Sequence, residues 1–247
     1  GVENAFGTKR IVFMKKINAA VLGANGRMGV EISHLLFTSK DFSAALAYSR
    51  HNSVEGYKQS TKSLDKKKFK NIDVIIDFTQ PEFFSEALSL AAELKIPIVS
   101  GTTGIGSEQQ KKIKMASKKT AVLWAPNMSL GVAVLSEALG GFTKLKGFDF
   151  QIEEFHHKHK KDKPSGTALF LQKKLDEVVG QKNPEPLAIR GGGIFGVHKV
   201  YAMSDCETIE FTHSALNRTV FAQGALTAAR WIVGKKPGNY AMRDVLL

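Results

Sequence analysis

A chain of 247 residues, 43% of them hydrophobic, is long enough for two modest globular domains. Its single cysteine, Cys206, excludes an intrachain disulfide framework, and no apolar run reaches the roughly 20 residues of a membrane span, so a reducing cytoplasm with no membrane partner is expected. The 35 Lys+Arg against 23 Asp+Glu leave a net charge of +12, which suits either nucleic acid or a small acidic substrate with a phosphorylated cofactor.

Residues 1–15 precede the first recognisable strand and are read as an extension outside the fold; Ile11-Val12-Phe13-Met14 is too short for a signal-peptide core. Residues 17–22, Ile-Asn-Ala-Ala-Val-Leu, predict a short apolar strand running into Gly23-Ala24-Asn25-Gly26-Arg27-Met28-Gly29, then a helix marked by Val30, Ile32, Leu35 and Leu36. That order suits a dinucleotide: Gly23 permits the tight turn, Gly26 lets a pyrophosphate approach the main chain, and Gly29 lets the helix lie close to the sheet. The spacing is G-x-x-G-x-x-G rather than G-x-G-x-x-G, and the alternative is a glycine-rich helix entry with no ligand. A second strand, Phe42 to Tyr48, ends in Tyr48-Ser49-Arg50-His51. A carboxylate here would hold the ribose 2′-hydroxyl of NAD; with none present and an arginine beside a serine, NADPH is predicted to be preferred, with NADH usable.

Ile72 to Asp77 is almost continuously apolar, as a parallel strand covered on both faces must be. Thr79-Gln80-Pro81-Glu82 reads as a capping box with proline in the first turn, ahead of a helix from Phe83 to Leu94. The alternation continues through Ile96 to Ser100 with Gly101-Thr102-Thr103-Gly104, a lysine-faced helix over about Ser107 to Lys118, and Ala121 to Trp124 before Ala125-Pro126-Asn127-Met128. Such a rhythm predicts a Rossmann-type, doubly wound parallel α/β sheet with ligand loops at the carboxyl ends of its strands.

Beyond Ala125 the rhythm changes. A helix over Ser129 to Phe142, a strand over Phe148 to Phe155, a helix after Ser165 and strands at His198 to Met203, Glu207 to Thr212 and Thr219 to Ala222 predict a second, α+β domain on an open mixed sheet. Gly191-Gly192-Gly193 and Gly196 mark a flexible loop between strands, where turn chemistry and substrate contact are equal readings. The predicted division is 16–126 with 219–247 for the dinucleotide-binding domain and 127–218 for the second domain. Two linkers would then form a hinge, closing over the bound nucleotide.

The most informative segment is His156 to Thr167, with three histidines and four lysines ahead of a Pro-Ser-Gly-Thr helix start. A histidine can transfer a proton near neutral pH, lysines hold anions, and the first N–H groups of a helix receive a carboxylate, so the segment predicts a site for a small acidic molecule that gains a proton. Two plainer readings compete: a solvated Lys/His loop, and zinc on His-x-x-His. Cys206 is remote and the lysines oppose a dication, so no metal is expected. His156 and His157 end an alternating strand and point to opposite faces, at a strand–loop–helix junction of the kind that commonly carries chemistry. Nucleic acid is not expected as a partner, because no helix-turn-helix, aromatic sheet motif or zinc knuckle is legible. A redox sensor would keep the glycine turn yet need no proton donor.

With Ile76-Asp77-Phe78-Thr79, Ala125 to Gly131, Glu154 to Lys160, Pro164 to Ala168 and Met242 to Leu246, these segments resemble the dihydrodipicolinate reductase (4-hydroxy-tetrahydrodipicolinate reductase) family over about Lys16 to Leu247. The resemblance implies reduction of 4-hydroxy-tetrahydrodipicolinate in diaminopimelate and lysine biosynthesis, with hydride transfer to C4, His156 as proton donor and Lys160 assisting. It implies that His157, Ser165, Gly166 and Thr167 hold the substrate carboxylates. Gly23 to Met28, Arg50, Phe78, Gly101 to Thr103 and Ala125 to Met128 are implied to line the nucleotide site, and Arg218 and Phe221 to lie on a strand leading back to it. A homotetramer through the second domain's sheet is implied as well. Three departures stand out: Ser49-Arg50 where the family has an acid-Arg pair, Gln80 where arginine is common, and Gly193 for a frequent aspartate. The first bears on NADH use and the others on binding detail.

Overall fold

The computed structural model describes residues 15–49 and 54–246 of the chain. Residues 1–14 of the expected extension, and Arg50 and His51 of the cofactor reading, lie outside the described residues.

Apolar residues on both faces make β1 (Ile17–Leu22) and β4 (Val74–Asp77) the middle of a sheet. Ala19, Val21, Val74 and Ile76 point to one core, under α1 (Arg27–Thr38) and α6 (Thr219–Ile232). Their neighbours Ala20, Leu22 and Ile75 point to the other, under α2 (Pro81–Leu94) and α3 (Ser107–Ala116). Each large side chain so buried is worth about 1.5–3 kcal/mol against exposure, and a charge on either face of these strands would forfeit that. Around them lie β2 (Phe42–Tyr48), β3 (Gln59–Thr61), β5 (Ile98–Ser100), β6 (Ala121–Trp124) and, from the far end of the chain, β11 (Gly238–Tyr240). The order is β11-β6-β5-β4-β1-β2-β3, with every pairing parallel. The chain builds outward from β1 to β3 and then returns to β1's other side, so the order reverses between the carboxyl ends of β1 and β4, the place where such sheets bind ligands.

From β6 the chain crosses through 125–129 into α4 (Leu130–Ala138) and a second sheet of β7 (Asp149–His156), β8 (Leu187–Arg190), β9 (Gly196–Met203) and β10 (Thr208–Ala215), with α5 (Gly166–Val179) between β7 and β8. Its order is β10-β9-β7-β8; β7 runs parallel to β8 and antiparallel to β9, so the sheet is mixed. One face packs on α4 and α5 through Leu135, Phe150, Ile152, Leu171, Leu175 and Val200. The other carries Glu153, Lys199, Tyr201 and Glu210, with Lys199 paired to Glu210 at 3.0 Å and Leu187 and Ile189 exposed. No helix among the described residues is long and apolar enough to cross a membrane.

Two local expectations are corrected. Thr219 to Ala222 is the first turn of α6 rather than a strand: Ala222, Ala225, Ala229 and Ile232 repeat at helical spacing and are buried, which outweighs the β propensity of Thr-Val-Phe. Thr79 caps no helix either; Gln80 is the N-cap, with no side-chain cap bond, and the Thr79 hydroxyl donates to Asp77 at 2.6 Å. Strands β3, β8 and β11 go unpredicted because, as short strands at sheet edges, they lack the buried apolar run that marks the equally short β4, β5 and β6.

Candidate active site

The turn after β1 is held by N–H groups of Gly23 and Ala24 donating to the Tyr48 carbonyl, and Gly23 sits at φ +80°, where a side chain is strained. A Cβ at Gly29 would lie 2.1 Å from the Gly23 carbonyl oxygen, so only glycine lets α1 start this close to the turn. Gly26 is the N-cap of α1 and offers no side-chain cap bond, which leaves first-turn N–H groups facing the cleft at the switch point. That cleft, of about 490 Å³, is lined by Gly23, Asn25, Gly26, Ser49, Phe78 and Thr79, and on the α2 side by Gln80, Glu82, Phe83 and Glu86. Asn25 Nδ2 donates to Ser49 Oγ at 2.7 Å, joining the turn to the end of β2, and the Tyr48 ring stacks on Phe83 with centroids 4.3 Å apart. These features fit a dinucleotide pyrophosphate approaching main-chain donors. Among the predicted lining residues Ala24, Ala125 and Met128 send their side chains into the core, so only their backbones are available.

Asp77, fully buried at the end of β4, ties the neighbouring loops together. Its carboxylate accepts from Thr79, from Ser100 at 2.7 Å and from Thr102 at 2.8 Å. Burial pushes its carboxyl up, and the three hydroxyl donors oppose that. The Thr102 hydroxyl is therefore held in this anchor, while Thr103 stays exposed.

His156 ends β7 on the same face as Phe150, Ile152 and Glu154. Its Nδ1 meets Glu154 Oε2; Glu154 Oε1 also accepts from Arg190 Nη2 at 2.7 Å and from the backbone N–H of Ser165 at 3.1 Å. Burial would raise the Glu154 carboxyl, but Arg190 and His156 outweigh it and hold it below the usual range. Burial lowers His156, helped by Lys160 and Arg190 and opposed by Glu154. With three donors Glu154 is ionised, and His156 unliganded is neutral with Nδ1–H toward Glu154. Beside it, His198 makes an edge contact with the His156 ring at 5.3 Å and places Nε2 3.3 Å from Ser165 Oγ. Burial is the main cause that pushes His198 down to about 3.

Ser165 caps α5, accepting from the Ala168 N–H at 3.2 Å, and the first turn follows with Gly166 exposed and Thr167 half-buried. Asn127 Nδ2 donates to Thr167 Oγ1 at 2.9 Å, so the loop after β6 touches the start of α5. His157 Nδ1 is buried with no hydrogen-bond partner among the described residues, an orphan suited to a ligand oxygen. Lys160 pairs with Asp162 at 2.9 Å on the loop between. Thus Asn127, His156 and Ser165 to Thr167, up to 40 residues apart, form one connected set. Arg218 instead sits at the start of α6, its guanidinium 6.0 Å from the Phe195 ring. The sequence reading misses Glu154, Arg190 and His198. A carboxylate on the apolar face of β7, two residues before a histidine, is a usable signal for the first; the others are brought in only by strand pairing.

Models of the dihydrodipicolinate reductase N-terminus and C-terminus match residues 17–128 and 131–246. The chain is 52% identical over 233 residues to 4-hydroxy-tetrahydrodipicolinate reductase of Bdellovibrio bacteriovorus, covering 94% of this chain and 97% of that protein. It is 39% identical over 257 residues to the protein of the same name in Pelagibacter ubique, covering 94% and 99%. A solved dipicolinate-bound dihydrodipicolinate reductase from Paenisporosarcina sp. TG-14 superposes with a TM-score of 0.79 over 92% of this chain and 98% of that one; at 19% identity it speaks for the fold. Matched in order along both halves and at this identity, the chain belongs to the dihydrodipicolinate reductase family of oxidoreductases.

Proposed function

We propose that the protein reduces 4-hydroxy-tetrahydrodipicolinate to tetrahydrodipicolinate in diaminopimelate and lysine biosynthesis, with NADPH as preferred reductant. The observation that carries the reading is the connected set itself: a carboxylate-held imidazole beside a helix start, joined through Thr167 and Asn127 to a loop at the carboxyl edge of the dinucleotide-type sheet.

Loss of water from the 4-hydroxy compound leaves a conjugated cyclic imine dicarboxylate. A reduced nicotinamide nucleotide held at the β1–α1 turn supplies the hydride for C4. Electrons then move toward C5 and nitrogen, and the ring needs a proton, for which His156 Nε2 is the donor. The N–H groups at the start of α5, the Thr167 hydroxyl and His157 hold the carboxylates, and the arriving negative charge favours the imidazolium of His156. Lys160 lends fixed positive charge to the electron-rich intermediate. We assign 16–126 with 219–247 to nucleotide binding and 127–218 to substrate binding, and the uncovered face of the second sheet to a homotetramer contact.

The absence of a carboxylate among the described residues at the end of β2, where Ser49 stands, supports NADPH; Glu82 and Glu86 in the same cleft make NADH the competing outcome. A coupled assay with pyruvate, aspartate semialdehyde and the upstream synthase should show nucleotide oxidation with a higher kcat/KM for NADPH. A higher value for NADH reverses the cofactor assignment, and no oxidation with either removes the proposed reaction.

A further inference from the structure

Glu154 is fully buried on a strand face otherwise given to core residues, yet its two oxygens take three donors from three parts of the chain. One is the His156 ring, two residues along β7. The second is Arg190 of β8, opposite His156 in the strand pairing, whose Nη2 also donates to the Asp162 carbonyl at 2.6 Å. The third is the Ser165 N–H at the entry to α5. The backbone of His156 is held too, its carbonyl accepting from Gly191 N–H at 3.0 Å. A carboxylate this deep is costly unless every oxygen is occupied, and here it is.

We propose that Glu154 is a positioning residue: its carboxylate binds Nδ1 of His156, selects the tautomer, and so reserves Nε2 as the nitrogen that delivers the proton. The inference rests on the reading of His156 as the proton donor. An acceptor-only oxygen facing one ring nitrogen requires N–H there, which assigns the exchangeable role to the other nitrogen. Four groups face the ring and bear on its charge: Glu154 on its own strand, Arg190 on β8, Lys160 on the following loop and His198 on β9. Of these Glu154 alone is an anion. With it neutralised, Arg190 and Lys160 act unopposed, His156 holds its proton less tightly, and an acid that must be protonated fails at lower pH.

Glu154→Gln keeps the shape and removes the charge. In the full-length enzyme it should lower kcat by about 10- to 10²-fold, less than the roughly 10²- to 10⁴-fold that a positioned acid contributes, and move the alkaline limb of the kcat–pH profile to lower pH with nucleotide affinity unchanged. Histidine ¹⁵N spectra of the wild-type protein give a second readout that does not depend on the variant folding. His156, assigned by its loss in His156→Asn, should be the Nδ1–H tautomer. An Nε2–H tautomer, or a Glu154→Gln profile that superimposes on wild type, overturns the inference. Should Glu154→Gln leave the profile unmoved while His156→Ala abolishes turnover, the proton-donor reading stands and this one falls; undiminished turnover in His156→Ala removes both.

Discussion

Three histidines line the helix-covered face of the second sheet, and their surroundings give them different chemistry. His198 and His213 lie across from each other on β9 and β10, and each meets a helix-capping serine, Ser165 or Ser129. Both are lowered, chiefly by burial, and suit a neutral, structural part. His156 alone faces an ionised carboxylate. His156→Ala should therefore lower turnover by about 10²- to 10⁴-fold while the dissociation constant for NADPH, measured by calorimetry, stays near wild type. Undiminished turnover takes the proton step away from His156. At this scale the residue types are legible in the His156 to Thr167 run, but the partner that separates one histidine from the rest is not. Arg190 lies 36 residues from Glu154 and joins it only because β8 pairs with β7 in one register.

Helix α5 shows how an element carries a site. Ser165 closes its first turn by accepting from Ala168 N–H, and its hydroxyl also reaches His198, so one side chain fixes both the helix start and a buried ring. Ser165→Ala should cost about 1–2 kcal/mol in thermal or urea unfolding through the lost cap. It should also raise KM for the dicarboxylate substrate, leaving nucleotide affinity unchanged; an unaltered KM argues against a substrate-holding role for this turn. The Pro-Ser-Gly-Thr signal for this helix is readable from local chemistry alone. The start of α6 is not, since Thr-Val-Phe favours a strand locally and only the buried small residues facing the first sheet decide for helix. The Thr79 capping signal likewise yields to Asp77, a buried acceptor at the end of β4 with a stronger claim on that hydroxyl.

At the scale of the molecule, the chain leaves the seven-stranded sheet at 125–129 and returns near 215–219, ending as β11 against β6. Leu216, 87% exposed, lies in the second crossing. We propose that these two crossings act as a hinge, in which case small-angle scattering should show a smaller radius of gyration with NADPH and a dicarboxylate bound than without. Identical profiles argue against closure. The net charge of +12 fits a cleft that must attract anions, although Glu82 and Glu86 on its rim show that overall charge does not dictate local potential.

The sequence by itself determined the alternating strand–helix order, the glycine turn and the histidine-lysine segment, because hydrophobic period and backbone chemistry are local properties written in consecutive residues. Only the tertiary structure decided that the strand order reverses beside that turn, that Asn127 reaches Thr167, and that Glu154 and Arg190 enclose His156. Those are long-range pairings, chosen by which registers bury the two faces of each sheet together.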